Sequence, residues 1–143
     1  MLLALILLFM GFMLVLICTE SFQLLMRYHH VSFNLHKNPN LSSFFDFNFA
    51  EFQSNDVVIQ KAGHTLCFFI LVILFTLYFR SLKSAVAVSI AFAFFTEIVQ
   101  MFFGRHGCLR DVIIDSIGIF LFVIIYTVFS LNRMTPMNRS SLK

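Results

Sequence analysis

The sequence predicts an all-α fold: a four-helix transmembrane bundle with a long Phe-rich loop between helices 1 and 2. Three observations predict it. First, 59% of the 143 residues are hydrophobic and only 12% are charged, with a mean hydropathy of +0.90. That is the balance of an integral membrane protein. Second, residues 1–19, 61–79, 84–103 and 112–131 are long, mostly apolar runs, and a membrane-spanning helix needs about 20 such residues. Third, the few charges inside these runs sit near their ends.

The first helix covers residues 1–19, with Gly11 as a candidate close-contact point. It has no basic leading region and no small-residue cleavage site, so it reads as an uncleaved helix rather than a signal peptide. Residues 20–60 form an extracytoplasmic or interfacial loop holding the turn signal Asn38-Pro39-Asn40. Its stretch SFFDFNFAEF, residues 43–52, has one greasy side whether read as strand or helix. It fits either an interfacial segment or a lid packed on the bundle. Residues 61–131 form a three-helix core. The short link at 80–83 makes its first two helices an antiparallel hairpin. The loop GRHGCLR joins the last two, and its glycines, Gly104 first, permit a tight turn. Residues 132–143 form a basic tail.

Arg80 and Lys83 in the link share a side with Arg133, Arg139 and Lys143 in the tail. By the positive-inside rule this side is cytoplasmic, which puts both termini there. The formal net charge of +3 is spread over loops and tail and gives no sign of nucleic-acid binding. Cys18, Cys67 and Cys108 form no C-x-x-C pattern, so neither a disulfide framework nor a zinc site is suggested.

Chemistry concentrates at the opposite membrane face. Lys61 and His64 open the second helix, while Glu97 and Gln100 lie near the end of the third. Arg105 and Arg110 are in the connecting loop, and Asp111 and Asp115 open the fourth. Residues three or four apart share a helix face. Carboxylates in hydrocarbon are costly and usually face a bundle interior. Asp111 suits a helix N-terminus. Asp115 needs a partner, with Arg105 or Lys61 the expected choice, and His64 is the expected donor to Glu97. His64, Glu97 and Asp115 are the candidate catalytic residues. Gly118, one turn beyond Asp115, is expected to permit close helix packing. Three readings stay open: a binding or catalytic site, a polar network that pins the helices, and a metal site built from His64, Glu97, Asp111 and Asp115. The last ranks lowest because no metal-binding motif is present, so neither metal nor cofactor is expected. His29, His30, His36 and His106 read as solvated loop histidines.

The pattern Asp56, Lys61-x-x-His64, Glu97-x-x-Gln100, Gly104-Arg105, Arg110-Asp111-x-x-x-Asp115-x-x-Gly118 resembles the VanZ-like family. The resemblance covers about residues 55–130. It implies a small multi-pass protein of the bacterial cytoplasmic membrane, and the family's namesake is associated with resistance to the glycopeptide teicoplanin. That is a phenotype and not a reaction. The expected partners are membrane lipids and an anionic envelope precursor or polymer. Lys61, His64, Glu97, Gln100, Arg105, Arg110, Asp111 and Asp115 would bind or remodel its headgroup. The alternatives are a membrane-embedded transferase or hydrolase acting on a lipid-linked precursor, and a small transporter or helper subunit.

Overall fold

The computed structural model describes residues 1–19, 33, 35, 44–45, 55–105 and 107–134, with backbone only at 56 and 134. Most of the Phe-rich segment, His29, His30, His36, His106 and the tail beyond 134 lie outside the described residues.

Among the described residues four helices follow in order: α1 Leu2–Cys18, α2 Asn55–Phe79, α3 Leu82–Phe102 and α4 Leu109–Met134. Helices α2, α3 and α4 pack mutually, and α1 lies against α2 and α3. Among the described residues three helical stretches are long and apolar enough to cross a membrane: Val57–Phe79, Leu82–Phe102 and Leu109–Arg133. With 17 residues, α1 is about 25 Å long, short of the roughly 30 Å hydrocarbon thickness.

Helix α2 begins six residues before the expected position 61, and α4 begins at 109. Hydropathy marks where side chains become apolar, whereas a helix needs only its backbone ladder. Polar Asn55 and Gln60 therefore extend α2 beyond its greasy run. Ser81 caps α3 by accepting from the Ser84 N–H at 3.4 Å. At the other end, Gly104 adopts φ 72°, and the Arg105 N–H donates to the Gln100 carbonyl at 3.2 Å. This is the glycine-terminated helix end in which a left-handed residue lets the chain fold back onto the last turn.

The core runs along the helix seams: Ile6, Met13 and Ile17 of α1, Phe68, Leu71 and Val72 of α2, Phe92 of α3 and Ile119 of α4. Outside, Ile113, Ile117, Phe120, Ile124 and Val128 of α4 are exposed. Inside, Thr96, Glu97, Gln100, Asp111 and Asp115 are buried. Apolar outside and polar inside is the arrangement a lipid solvent selects. At its described positions the long loop touches the bundle: Phe44 packs against the core, and Phe33 meets Phe103 edge-on at 6.3 Å.

Two glycines set the helix spacing. A Cβ at Gly118 would fall 2.1 Å from the Thr65 carbonyl oxygen of α2. A Cβ at Gly107 would fall 1.9 Å from the Glu97 carbonyl oxygen of α3. Gly11, by contrast, has nothing within 4 Å among the described residues. The expected close contact there is absent because its face of α1 points away from the neighbouring helices.

Candidate functional site

The polar end of the core is assembled by all four helices. Lys61 and His64 sit near the start of α2, each half-buried, and Glu97 and Gln100 lie in the last two turns of α3. The short 103–108 connection folds back so that Arg110, Asp111 and Asp115 of α4 face them, all three buried. By the helical rise, Glu97 lies about 8 Å inside the end of α3 and Asp115 about 9 Å inside the start of α4. The two carboxylates thus reach similar depth.

Glu97, fully buried, fixes the loop to α3. Its Oε1 accepts from Gln100 Nε2 at 2.7 Å, and its Oε2 accepts from the Cys108 backbone N–H at 3.1 Å. Cys108 immediately precedes α4, so this bond satisfies one of the orphan donors at a helix start. It is possible only because Gly107 lets the loop lie directly on the backbone of α3.

Asp111 is the hub of the ion pairs. It is salt-bridged to Lys61 across the α2–α4 seam, and Arg110 Nε approaches its Oδ1 at 3.4 Å. The expectation that Lys61 or Arg105 partners Asp115 is therefore not met. Asp115 faces His64 instead, with Nδ1 and Oδ1 3.9 Å apart. Its Oδ2 is buried with no hydrogen-bond partner among the described residues. The direct His64–Glu97 hydrogen bond is replaced by the Gln100 and Cys108 donors. Even so, His64, Glu97 and Asp115 each place one ligating atom within 4.8 Å of the others.

Arg105 does something the sequence did not suggest. Its Nη1 lies 3.3–3.4 Å from the carbonyl oxygens of Leu16, Ile17 and Thr19. Helix α1 has no basic residue in its last turn, and Arg105 supplies the missing positive charge to its carbonyl end from far along the chain. Burial pushes the guanidinium pKa below its ordinary value, against the opposing pull of Glu97 and Asp111. No local signal marks such a cap, because its acceptors lie more than 80 residues away. Gly107 was also missed. Its neighbour Gly104 carries the obvious turn signal, and only the fold shows which glycine meets a backbone.

Cys108 is buried, and burial raises its thiol pKa. It therefore lacks the thiolate character of an activated nucleophile. A small recess of about 20 Å³ opens beside His64 and Cys67, closed on the other side by Met13, Leu16 and Ile17 of α1.

The family model described as VanZ/LLP1 matches residues 1–130, extending the resemblance through α1. The "Uncharacterized membrane protein YwnJ" of Bacillus subtilis (strain 168) is 45% identical over 115 residues, covering 80% of this chain and 82% of that protein. No solved structure matches the chain. A match that runs through α1, α2, α3 and most of α4, together with this relative, places the chain in the VanZ/LLP1 family.

Proposed function

We propose that this protein is a multi-pass protein of the bacterial cytoplasmic membrane that engages an anionic envelope headgroup at the polar end of its core, and thereby lowers susceptibility to teicoplanin. The headgroup would belong to a lipid-linked wall precursor or a polymer anchor. One observation carries this reading: Glu97, Asp111, Asp115 and Arg110 are buried at one end of a bundle whose outer surface is apolar. Ionisable groups in such a place are expensive to keep and mark functional sites.

The geometry refines the roles. Arg105 reaches back to α1, and of the two cations paired with Asp111 the Lys61 side chain is more open than that of Arg110, which makes Lys61 the cation at the rim. Its side chain keeps 14% exposure, and it would meet the phosphate. With α1 crossing as a fourth span, Arg80, Lys83 and Arg133 lie on the cytoplasmic side and the polar end faces outward. The test is teicoplanin susceptibility of cells expressing wild type, Lys61→Met or Asp115→Asn at matched levels, beside binding of the purified proteins to vesicles carrying a lipid-linked precursor. Loss of tolerance and of vesicle binding in both variants supports the reading. Variants that bind and protect like wild type overturn it.

A second reading has its own support. The close approach of an imidazole and two carboxylates suits proton transfer in a membrane-embedded transferase or hydrolase. Turnover of a labelled lipid-linked precursor, abolished by His64→Ala, would establish it.

A further inference from the structure

Glu97 and Asp115 are two buried carboxylates. Among the described residues no lysine or arginine forms an ion pair with either, since Lys61 and Arg110 both engage Asp111. Asp111 lies outside the set whose ligating atoms converge. Asp115 is 1% exposed, its Oδ2 has no hydrogen-bond partner among the described residues, and the His64 imidazole Nδ1 lies 3.9 Å from its Oδ1. An unpaired charge so placed is normally neutralised, paired or bound to a metal.

We propose that His64, Glu97 and Asp115 bind one divalent transition-metal ion between α2, α3 and α4. Each residue offers a ligating atom, and the three atoms lie within 4.8 Å of one another. Zinc bonds to imidazole nitrogen and carboxylate oxygen run about 2.0–2.2 Å, so tetrahedral donors stand roughly 3.4 Å apart. The atoms must close by up to about 1.4 Å, a movement left to His64 and Asp115 because Glu97 is held by its two donors. One nitrogen and two anionic oxygens match Zn²⁺, Mn²⁺ or Fe²⁺, whereas Ca²⁺ and Mg²⁺ prefer oxygen alone. The two carboxylates balance the two positive charges.

The surroundings fit a metal centre. Gln100 and the Cys108 N–H hold the Glu97 carboxylate in one orientation, as supporting hydrogen bonds do around metal ligands. Carboxylate oxygens have lone pairs to spare beyond these two bonds. Three protein donors leave a fourth position for water or a ligand oxygen. The three ligands come from three helices, so the ion would also tie the core together.

The experiment uses the full chain purified in detergent, stripped with EDTA and titrated with ZnCl₂ and CoCl₂. Expected are one bound equivalent, visible cobalt absorption bands of a low-coordinate site and a higher melting temperature. Asp115→Asn is nearly isosteric and gives up no hydrogen bond found among the described residues; His64→Gln keeps a polar side chain. Each should weaken binding at least about 10-fold, the lower end of what even supporting residues cost, while Lys83→Ala at the other end of the bundle binds like wild type. Absence of binding by either metal, or equal binding by both variants, overturns the proposal and leaves a shared proton as the device that neutralises the carboxylates. Metal content is read without any envelope ligand, so it stands or falls separately from headgroup binding.

Discussion

Replacing Gly118 with alanine would drive a methyl group into the backbone of α2. The added Cβ would lie 2.1 Å from the Thr65 carbonyl oxygen and 3.1 Å from the Phe69 nitrogen. Comfortable carbon contacts begin near 3.5 Å, so α4 must move away from α2 by about 1.4 Å. Backbone atoms cannot rotate aside as a side chain would. The Thr65 hydroxyl, 3.3 Å from the Ile114 carbonyl across the same seam, loses that contact. Overpacking of this kind costs typically 1–3 kcal/mol, and the absence of a flexible neighbour puts Gly118→Ala at about 3 kcal/mol. The internal control is Gly63→Ala, on α2, where a Cβ meets nothing within 4 Å among the described residues. There the better helix propensity of alanine adds about 0.5–1 kcal/mol. Reversible unfolding in mixed micelles by titration with a denaturing detergent compares the two directly. The steric argument predicts a gap of about 4 kcal/mol in favour of Gly63→Ala. A gap below about 1 kcal/mol would refute it, because the helices would then be separable at no cost.

Other outcomes follow from the same contacts. Gly107→Ala places a Cβ 1.9 Å from the Glu97 carbonyl oxygen; it should destabilise the chain by about 2–3 kcal/mol in the same micelle assay. Arg105→Ala uncaps three α1 carbonyls, and hydrogen bonds to charged groups contribute about 1.5–3 kcal/mol. Cys18, buried at the end of α1, should then react with a membrane-permeant maleimide markedly faster, while Arg105→Lys gives a smaller change. The Cys108 thiol, its pKa raised by burial, stays protonated to higher pH than a free cysteine. Alkylation followed by mass spectrometry should show it reacting at least about 10-fold slower than free cysteine at pH 7.5.

The helices are legible because lipid imposes one simple demand, a run of apolar side chains long enough to cross. That demand is written residue by residue in 61–79, 84–103 and 112–131. The convergence of Lys61, Glu97, Arg105 and Asp111 at one end follows from topology alone, since antiparallel neighbours must bring those ends together. Pairing within the cluster is a different kind of information. Periodicity says that Asp111 and Asp115 share a face of α4. It does not say how far α4 is rotated against α2, and that rotation gives Lys61 to Asp111 and His64 to Asp115. Arg105 shows the same limit at longer range: its acceptors are main-chain carbonyls of α1, and backbone oxygens leave no trace in side-chain patterns. Glycines mark the boundary well. Gly104 announces its turn by its place after an apolar run. Gly11, inside an apolar helix, carries the ordinary signal of a close helix contact and meets nothing within 4 Å among the described residues, whereas Gly107, in a polar loop, lies against the backbone of α3.

The central claim is that the buried polar end acts on the cell envelope and does not merely pin the helices. It is tested most directly by teicoplanin susceptibility of cells expressing wild type, Asp115→Asn or Gly63→Ala at equal protein levels. Among the described residues Asp115 Oδ2 makes no hydrogen bond that the amide would break, and its Oδ1 stands 3.9 Å from His64, beyond hydrogen-bond distance, so a purely structural network predicts little change in Asp115→Asn. The account predicts reduced susceptibility with wild type and Gly63→Ala, and return to the empty-vector level with Asp115→Asn. Equal protection by all three would contradict it.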